Sequence, residues 1–183
     1  MTMALSIADI RTLFDRLGAR AYDGEPVTQL EHALQTAALA QDDGAAPGLV
    51  TASLLHDLGH LVNDQGESPT LRGVDDIHQY AALPFLRGLF DDDVLAPIRL
   101  HVDAKRFLCA ARPGYYEALS ADSKRSLALQ GGVFSPSDAD AFIRLPYAAD
   151  AVRLRVWDDR AKRAGASTPT LDHFLDVAQR VTA

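Results

Sequence analysis

The segment 52–60, Ala-Ser-Leu-Leu-His-Asp-Leu-Gly-His, constrains the fold of this chain more than any other stretch. An apolar run leads directly into His56 and Asp57, and His60 follows four positions after His56. Residues four apart lie on one face of a helix, so both histidines are predicted to point into one cavity. The apolar flanks predict that the pair is buried, and buried ionisable groups need partners or a metal. Imidazole together with carboxylate is a ligand set that suits iron, manganese and zinc.

Helix start and stop signals recur along the chain, and no strand-like alternation accompanies them. Ser6–Asp9 begins a predicted helix that ends before Gly18, and Thr28–Glu31 is a capping box that opens the next one. Segment 62–76 is polar and is predicted to be a loop, with a lid or a cavity rim as its candidate role. The sequence therefore predicts one all-α domain over residues 1–183. Its further helices are expected at about 49–60, 76–90, 93–105 (with Pro97 in the first turn) and 120–130, and from 135, 147 and 170.

Charge and composition exclude several classes of partner. The formal net charge of −7 argues against nucleic-acid binding by general electrostatics. No apolar run approaches the roughly 20 residues of a membrane helix, so no membrane partner is expected. No basic segment precedes an apolar one at the N-terminus, and Cys109 is the single cysteine, which together predict a cytoplasmic protein. No sequence pattern predicts an oligomeric state.

The order His32, then His56-Asp57, then Asp158 resembles the HD-domain superfamily. That resemblance implies an all-helical bundle in which these four residues hold a metal ion at the centre. His78 and His101 are similar to the extra pair of histidines that two-metal members add. Asp57 would then bridge both ions through its two carboxylate oxygens.

Position 60 points to one branch of this superfamily. The common phosphate-ester hydrolases carry a lysine where this chain has His60. Several segments instead resemble the phosphonate-cleaving diiron oxygenases related to myo-inositol oxygenase. These segments are 22–35, 56–60, 101–108, 129–132 and 152–159.

The resemblance implies a specific chemistry. Two iron ions, as Fe(II)/Fe(III), would use O2 as co-substrate to cleave the C–P bond of a 1-hydroxyphosphonate. The expected small-molecule substrate is (R)-2-amino-1-hydroxyethylphosphonate, which would give glycine and phosphate. The resemblance also implies that Tyr22 occupies an iron position until substrate arrives and that Glu25 contacts the amine.

Spacing adds candidate contacts to the phosphonate, which carries up to two negative charges and favours charge-assisted donors. Lys105 lies four residues after His101, and Arg155 lies three residues before Asp158, so each is predicted to reach the metal face of its helix. His60 is a further donor, and Ser123 is a weaker candidate. The predicted catalytic residues are Tyr22, His60 and Lys105.

Three alternatives remain open at this point. The first is the same chemistry on the N-trimethylated analogue, which would give glycine betaine. The second is an HD-type phosphohydrolase that uses a metal-bound hydroxide on a nucleotide or phosphomonoester. The third is a regulatory helical domain with a vestigial metal site.

Overall fold

The computed structural model describes residues 4–22, 24–63, 69–75 and 77–183. Within these ranges the chain forms helices and isolated β-bridges but no sheet, which confirms the predicted all-α class. A single 3-10 turn, Pro69–Arg72, lies in the described part of the predicted loop. The helices are α1 Ile7–Leu17, α2 Gln29–Asp42, α3 Pro47–Leu55, α4 Gly59–Val62, α5 His78–Ala81, α6 Leu83–Leu86, α7 Asp92–Ala111, α8 Tyr115–Ala118, α9 Ala121–Leu129, α10 Pro136–Ile143, α11 Ala148–Arg160 and α12 Leu171–Gln179.

The helix starts that depend on local side-chain caps agree with the sequence. Ser6 and Thr28 form reciprocal capping boxes with Asp9 and Glu31, which satisfies backbone N–H groups that the first helical turn leaves free. Three later helices begin after side-chain caps of the same kind, namely Ser120, Ser135 and Thr170.

The predicted helix over 49–60 is wrong in its second half. The helix ends at Leu55, and a turn over residues 56–58 separates it from α4. The turn accompanies a tertiary contact, in which the backbone of Gly59 lies against the carbonyl group of His78. A Cβ atom at position 59 would overlap with that carbonyl, so only glycine allows α4 and α5 to approach this closely.

The helix predicted over 76–90 is also wrong, because it is two short helices, α5 and α6. Pro84 is the second residue of α6. It has no backbone N–H to donate to the preceding turn, and it restricts the backbone of Leu83, so a continuous helix is interrupted between α5 and α6. Pro97 lies in the second turn of α7, not in the first as predicted. Residues 64–68 and 76 of the predicted loop lie outside the described residues.

The main core lies where α3 packs against α2, α7 and α12, and α11 packs along α7. Leu54, Leu55, Leu86, Ile98 and Leu154 are among the fully buried side chains. Burial of each such side chain contributes about 1.5–3 kcal/mol, so this apolar packing fixes the helices that carry the polar centre. None of the helices in the described ranges is long and apolar enough to cross a bilayer.

Candidate metal centre

Five elements bring together, inside the bundle, the six side chains that were predicted to ligate metal. All six are buried, although each is polar or ionisable. They come from α2, the turn after α3, α5, α7 and α11: His32, His56, Asp57, His78, His101 and Asp158.

The first group of ligands surrounds Oδ2 of Asp57. His56 Nε2 lies 3.3 Å from this oxygen, and His32 Nε2 lies 3.5 Å from it. Asp158 closes the group, with Oδ1 at 3.3 Å from His32 Nε2 and Oδ2 at 3.9 Å from His56 Nε2. Two histidines and two carboxylates therefore surround one point.

The second group surrounds the other oxygen of the same carboxylate. Oδ1 of Asp57 lies 3.3 Å from His78 Nε2 and 3.6 Å from His101 Nε2. His32, His56 and Asp57 have ligand atoms close enough to hold one ion, and so do Asp57, His78 and His101. Asp57 is common to both sets. The arrangement can accommodate two metal ions with Asp57 between them.

Backbone carbonyls fix the orientation of three histidine rings. The Nδ1–H groups of His32, His56 and His101 donate to the carbonyl oxygens of Ala161, Ser53 and Ile98 over 2.9, 2.9 and 2.7 Å. In a neutral ring that carries its proton on Nδ1, the lone pair is on Nε2. A metal ion can bind this tautomer through Nε2. Each of these Nε2 atoms faces Asp57.

Two features of the centre fit a bound cation. His32 Nε2 and His56 Nε2 are 3.3 Å apart, and His78 Nε2 and His101 Nε2 are 3.0 Å apart. Lone pairs on paired nitrogens repel each other unless a proton or a metal ion lies between them. In addition, Oδ1 of Asp158 is buried without a hydrogen-bond partner among the described residues, which is costly unless a cation compensates it.

Electrostatics keeps the carboxylates ionised and one histidine neutral. Burial alone would raise the pKa of Asp57, but the neighbouring His56, His101 and His32 hold it well below its usual range. Burial also opposes ionisation of Asp158, but the Arg155 guanidinium together with His32 and His56 outweighs it, so the pKa of Asp158 is lowered as well. Burial lowers the pKa of His101 to about 4, which keeps this ring available as a neutral ligand.

Tyr22 lies directly against the first group. Its hydroxyl donates to Oδ2 of Asp57 over 2.8 Å, and its ring stacks on His32 with centroids 4.1 Å apart. The phenol therefore contacts two of the predicted ligands, and its occupation of an iron position stays a prediction.

A cavity opens beside the centre, and all six predicted substrate contacts line it. Lys105 is only 2% exposed and donates to Ser126 Oγ over 2.8 Å, while burial lowers its pKa to about 7. His60 lies at the same wall, with its ring stacked on His78 and its Nε2 3.8 Å from Asp57 Oδ1. The predicted contacts that line the cavity are Tyr22, Glu25, His60, Lys105, Ser123 and Arg155.

Arg155 lies on the cavity side of its helix, as its spacing predicts, and it also pairs with carboxylates of the same helix. Its guanidinium pairs with Asp158 Oδ2 at 2.9 Å and with Asp159, and its Nε donates to Tyr115 Oη over 3.3 Å. The Tyr115 hydroxyl in turn donates to Asp159. Arg155 lines the cavity, but these bonds make it first a residue that positions the ligand Asp158.

Lys162 and Ser126 belong to the site and were not found from the sequence. Lys162 Nζ lies 3.1 Å from Oε1 of Glu25, although 137 positions separate the two residues. Ser126 accepts from Lys105 and lies three residues after Ser123, so its helical spacing was the one available signal. A contact such as Lys162–Glu25 has no local sequence signal.

Comparisons with known proteins place this centre in a family. The HD domain model matches residues 30–129. The 1-hydroxy-2-(trimethylamino)ethylphosphonate dioxygenase (glycine-betaine-forming) of Leisingera caerulea is 37% identical over 169 residues, which cover 92% of this chain and 86% of that protein. Hydroxymethylphosphonate dioxygenase of Gimesia maris is 40% identical over 169 residues, which cover 90% of this chain and 84% of that protein. The chain therefore belongs to the HD-domain family, in the branch that holds these phosphonate dioxygenases.

Proposed function

We propose that this protein is a diiron oxygenase that cleaves the C–P bond of a 1-hydroxyphosphonate with O2. The observation that carries the proposal is the shared carboxylate of Asp57, whose two oxygens face two separate groups of histidines. This centre borders a cavity that holds Lys105 and His60. Support for the reaction class comes from the two relatives, which are named as phosphonate dioxygenases.

Iron in the Fe(II)/Fe(III) state is the proposed metal pair. Imidazole and carboxylate ligands suit this element, and a site with two ions can orient a substrate and activate oxygen. When bound, the ions would supply the oxygen chemistry and a positive charge that attracts the anionic substrate. His32, His56, Asp57 and Asp158 are proposed to hold one ion. Asp57, His78 and His101 are proposed to hold the other.

The residues of the cavity wall are proposed to bind and orient the phosphonate. Lys105 has the strongest case, because its buried ammonium group already donates to Ser126 and can donate to a phosphonate oxygen as well. His60 and Ser123 lie at the same wall and add donors. With the substrate held in this way, Tyr22 is the group next to the centre that has to move when the 1-hydroxyl arrives.

The overall reaction balances without a further reductant. For (R)-2-amino-1-hydroxyethylphosphonate, the C–H and C–P bonds at carbon 1 break, and both atoms of O2 enter the products glycine and phosphate. Carbon 1 is oxidised and O2 is reduced. The same balance holds for hydroxymethylphosphonate and for the trimethylated substrate.

The primary amine is our proposed substituent, with the trimethylated analogue as the alternative. Glu25 supports it, because a carboxylate can accept charge-assisted hydrogen bonds from an ammonium group. One relative is named for a substrate with a trimethylated amine and the other for a substrate with no amine, so the amine substituent varies within the family.

The test is phosphate release from three phosphonates in air and without oxygen. The protein is purified anaerobically with iron and given hydroxymethylphosphonate, 2-amino-1-hydroxyethylphosphonate or its trimethylated analogue. We expect phosphate from at least one of them, and only with oxygen. Hydrolysis of a nucleotide or phosphomonoester without oxygen, together with no phosphonate turnover in air, would show a phosphohydrolase instead.

A further inference from the structure

Lys162 and Glu25 form an ion pair at the wall of the cavity. The Nζ–Oε1 distance is 3.1 Å, and the two side chains are only 14% and 11% exposed. Both residues line the same cavity as the metal ligands Asp57, His78 and His101. Because the pair is largely shielded from bulk water, its charges are weakly screened and act on a ligand that enters the cavity.

The ammonium group of Lys162 also lies over an aromatic ring. Its Nζ is 5.9 Å from the ring centroid of Tyr22, which is within the range of a cation–π interaction. An aromatic face attracts a quaternary ammonium group through a cation–π interaction, and a nearby carboxylate adds attraction between opposite charges. In this protein its own lysine occupies that position.

We propose that Lys162 occupies the cation subsite formed by Glu25 and Tyr22, and thereby excludes substrates that carry a quaternary ammonium group. The inference rests on the proposed function and names its substrate class. The substrate is a 1-hydroxyphosphonate whose substituent is either hydrogen or a group with hydrogen-bond donors. A trimethylammonium group has charge but no donor, so it has to displace Lys162 from Glu25 or accept a like charge beside it, and both are unfavourable.

A primary ammonium group is affected less, because Glu25 has a second carboxylate oxygen. Oε1 accepts from Lys162, whereas Oε2 makes no hydrogen bond with any residue in the described ranges. A primary ammonium group can donate to Oε2 while Lys162 keeps Oε1. Hydroxymethylphosphonate, which has no such group, meets no conflict at this subsite.

The experiment compares hydroxymethylphosphonate with the trimethylated substrate on four iron-loaded proteins. Lys162→Met keeps the length of the side chain and removes its charge. Lys124→Met is the matched control, because Lys124 also lies over a tyrosine ring, Tyr116, but does not line the cavity. The double variant Lys162→Met/Glu25→Gln removes the carboxylate that would receive the trimethylammonium group. Dissociation constants are measured anaerobically by calorimetry, and kcat/KM is measured in air.

The parent protein is expected to prefer hydroxymethylphosphonate in both measurements. Lys162→Met should raise the ratio of kcat/KM for the trimethylated substrate to kcat/KM for hydroxymethylphosphonate by about tenfold or more. The reason is that a like charge is removed from a site shielded from solvent. The double variant should lose most of that gain, and Lys124→Met should keep the parent ratio. A parent that prefers the trimethylated substrate, or a ratio that Lys162→Met leaves unchanged, would overturn the inference while phosphonate cleavage stands. If neither phosphonate binds, the inference fails, and the proposed function fails with it only when 2-amino-1-hydroxyethylphosphonate does not bind either.

Discussion

Tyr22 donates a hydrogen bond of 2.8 Å from its hydroxyl to Oδ2 of Asp57, the carboxylate that both groups of ligands share. The same ring stacks on His32, so the tyrosine contacts two ligands of the first group at once. Burial, together with the nearby charge of Asp57, raises the pKa of Tyr22 well above its usual range and keeps the phenol protonated as the donor. Tyr22 is therefore a side chain that connects the cavity to the centre.

Tyr22→Phe keeps the stacked ring and removes the hydrogen bond. We expect the variant to bind iron about 10-fold more weakly, because loss of a partner that orients a ligand typically has this effect. Competition with a chelator measures the affinity. Tyr80→Phe, at an exposed ring, is the control. An unchanged iron affinity would show that the hydrogen bond to Asp57 does not support the centre.

Asp57→Ala should remove both metal ions. The parent is expected to hold about two iron ions per chain, as two-metal sites do. The variant should hold almost none, since each group of ligands loses an oxygen of the same carboxylate. Elemental analysis gives the iron content, and Asp140→Ala replaces an exposed carboxylate as control. Two tightly bound irons in Asp57→Ala would contradict a bridging role.

Arg155→Met should destabilise the protein by about 3–5 kcal/mol, because it leaves buried Asp158 without its paired charge. Iron content should also fall at the group that contains Asp158. Arg153→Met on the same helix removes exposed ion pairs with Asp43 and Asp150 and should cost at most about 1 kcal/mol. Urea unfolding measures both. Equal losses in the two variants would show that Arg155 has no special role in positioning.

The lowered pKa of the buried Lys105 side chain predicts that the stability of the protein depends on pH. Burial lowers its folded pKa from 10.5 to about 7, so between these values the unfolded chain binds a proton that the folded protein lacks. The contribution of Lys105 to the free energy of unfolding therefore rises with pH across this window, by up to roughly 1.4 kcal/mol per pH unit. Urea unfolding of the parent and of Lys105→Met at pH 7, 8 and 9 measures the difference. A difference that stays flat or falls with pH would be evidence against the lowered pKa.

Local signals in the sequence account for the parts of the fold that were predicted correctly. Ser6, Thr28, Ser120 and Ser135 each cap a helix from within three residues, so their effect is visible in a short stretch of sequence. The break after Leu55 was missed because the turn over residues 56–58 contains neither glycine nor proline. The contact beside it, between Gly59 and His78, joins two helices and has no local sequence signal.

The candidate site shows the same division. Residue type and family resemblance predicted the six histidine and aspartate ligands. The structure brings all six together. Helical spacing predicted that Lys105 reaches the cavity, but it could not predict that Arg155 pairs with Asp158 and Asp159. Lys162 reaches Glu25 only through the packing of the bundle, so a single sequence could not reveal that contact.

The amount of O2 consumed for each phosphate released tests the central claim most directly. An oxygen electrode and a phosphate assay follow one reaction of the iron-loaded protein with 2-amino-1-hydroxyethylphosphonate or hydroxymethylphosphonate. The analogue 2-aminoethylphosphonate, which lacks the 1-hydroxyl, serves as the control substrate. We predict equal amounts of O2 consumed and phosphate released with a 1-hydroxyphosphonate, and neither with the control. Phosphate released without consumption of O2 would contradict the account.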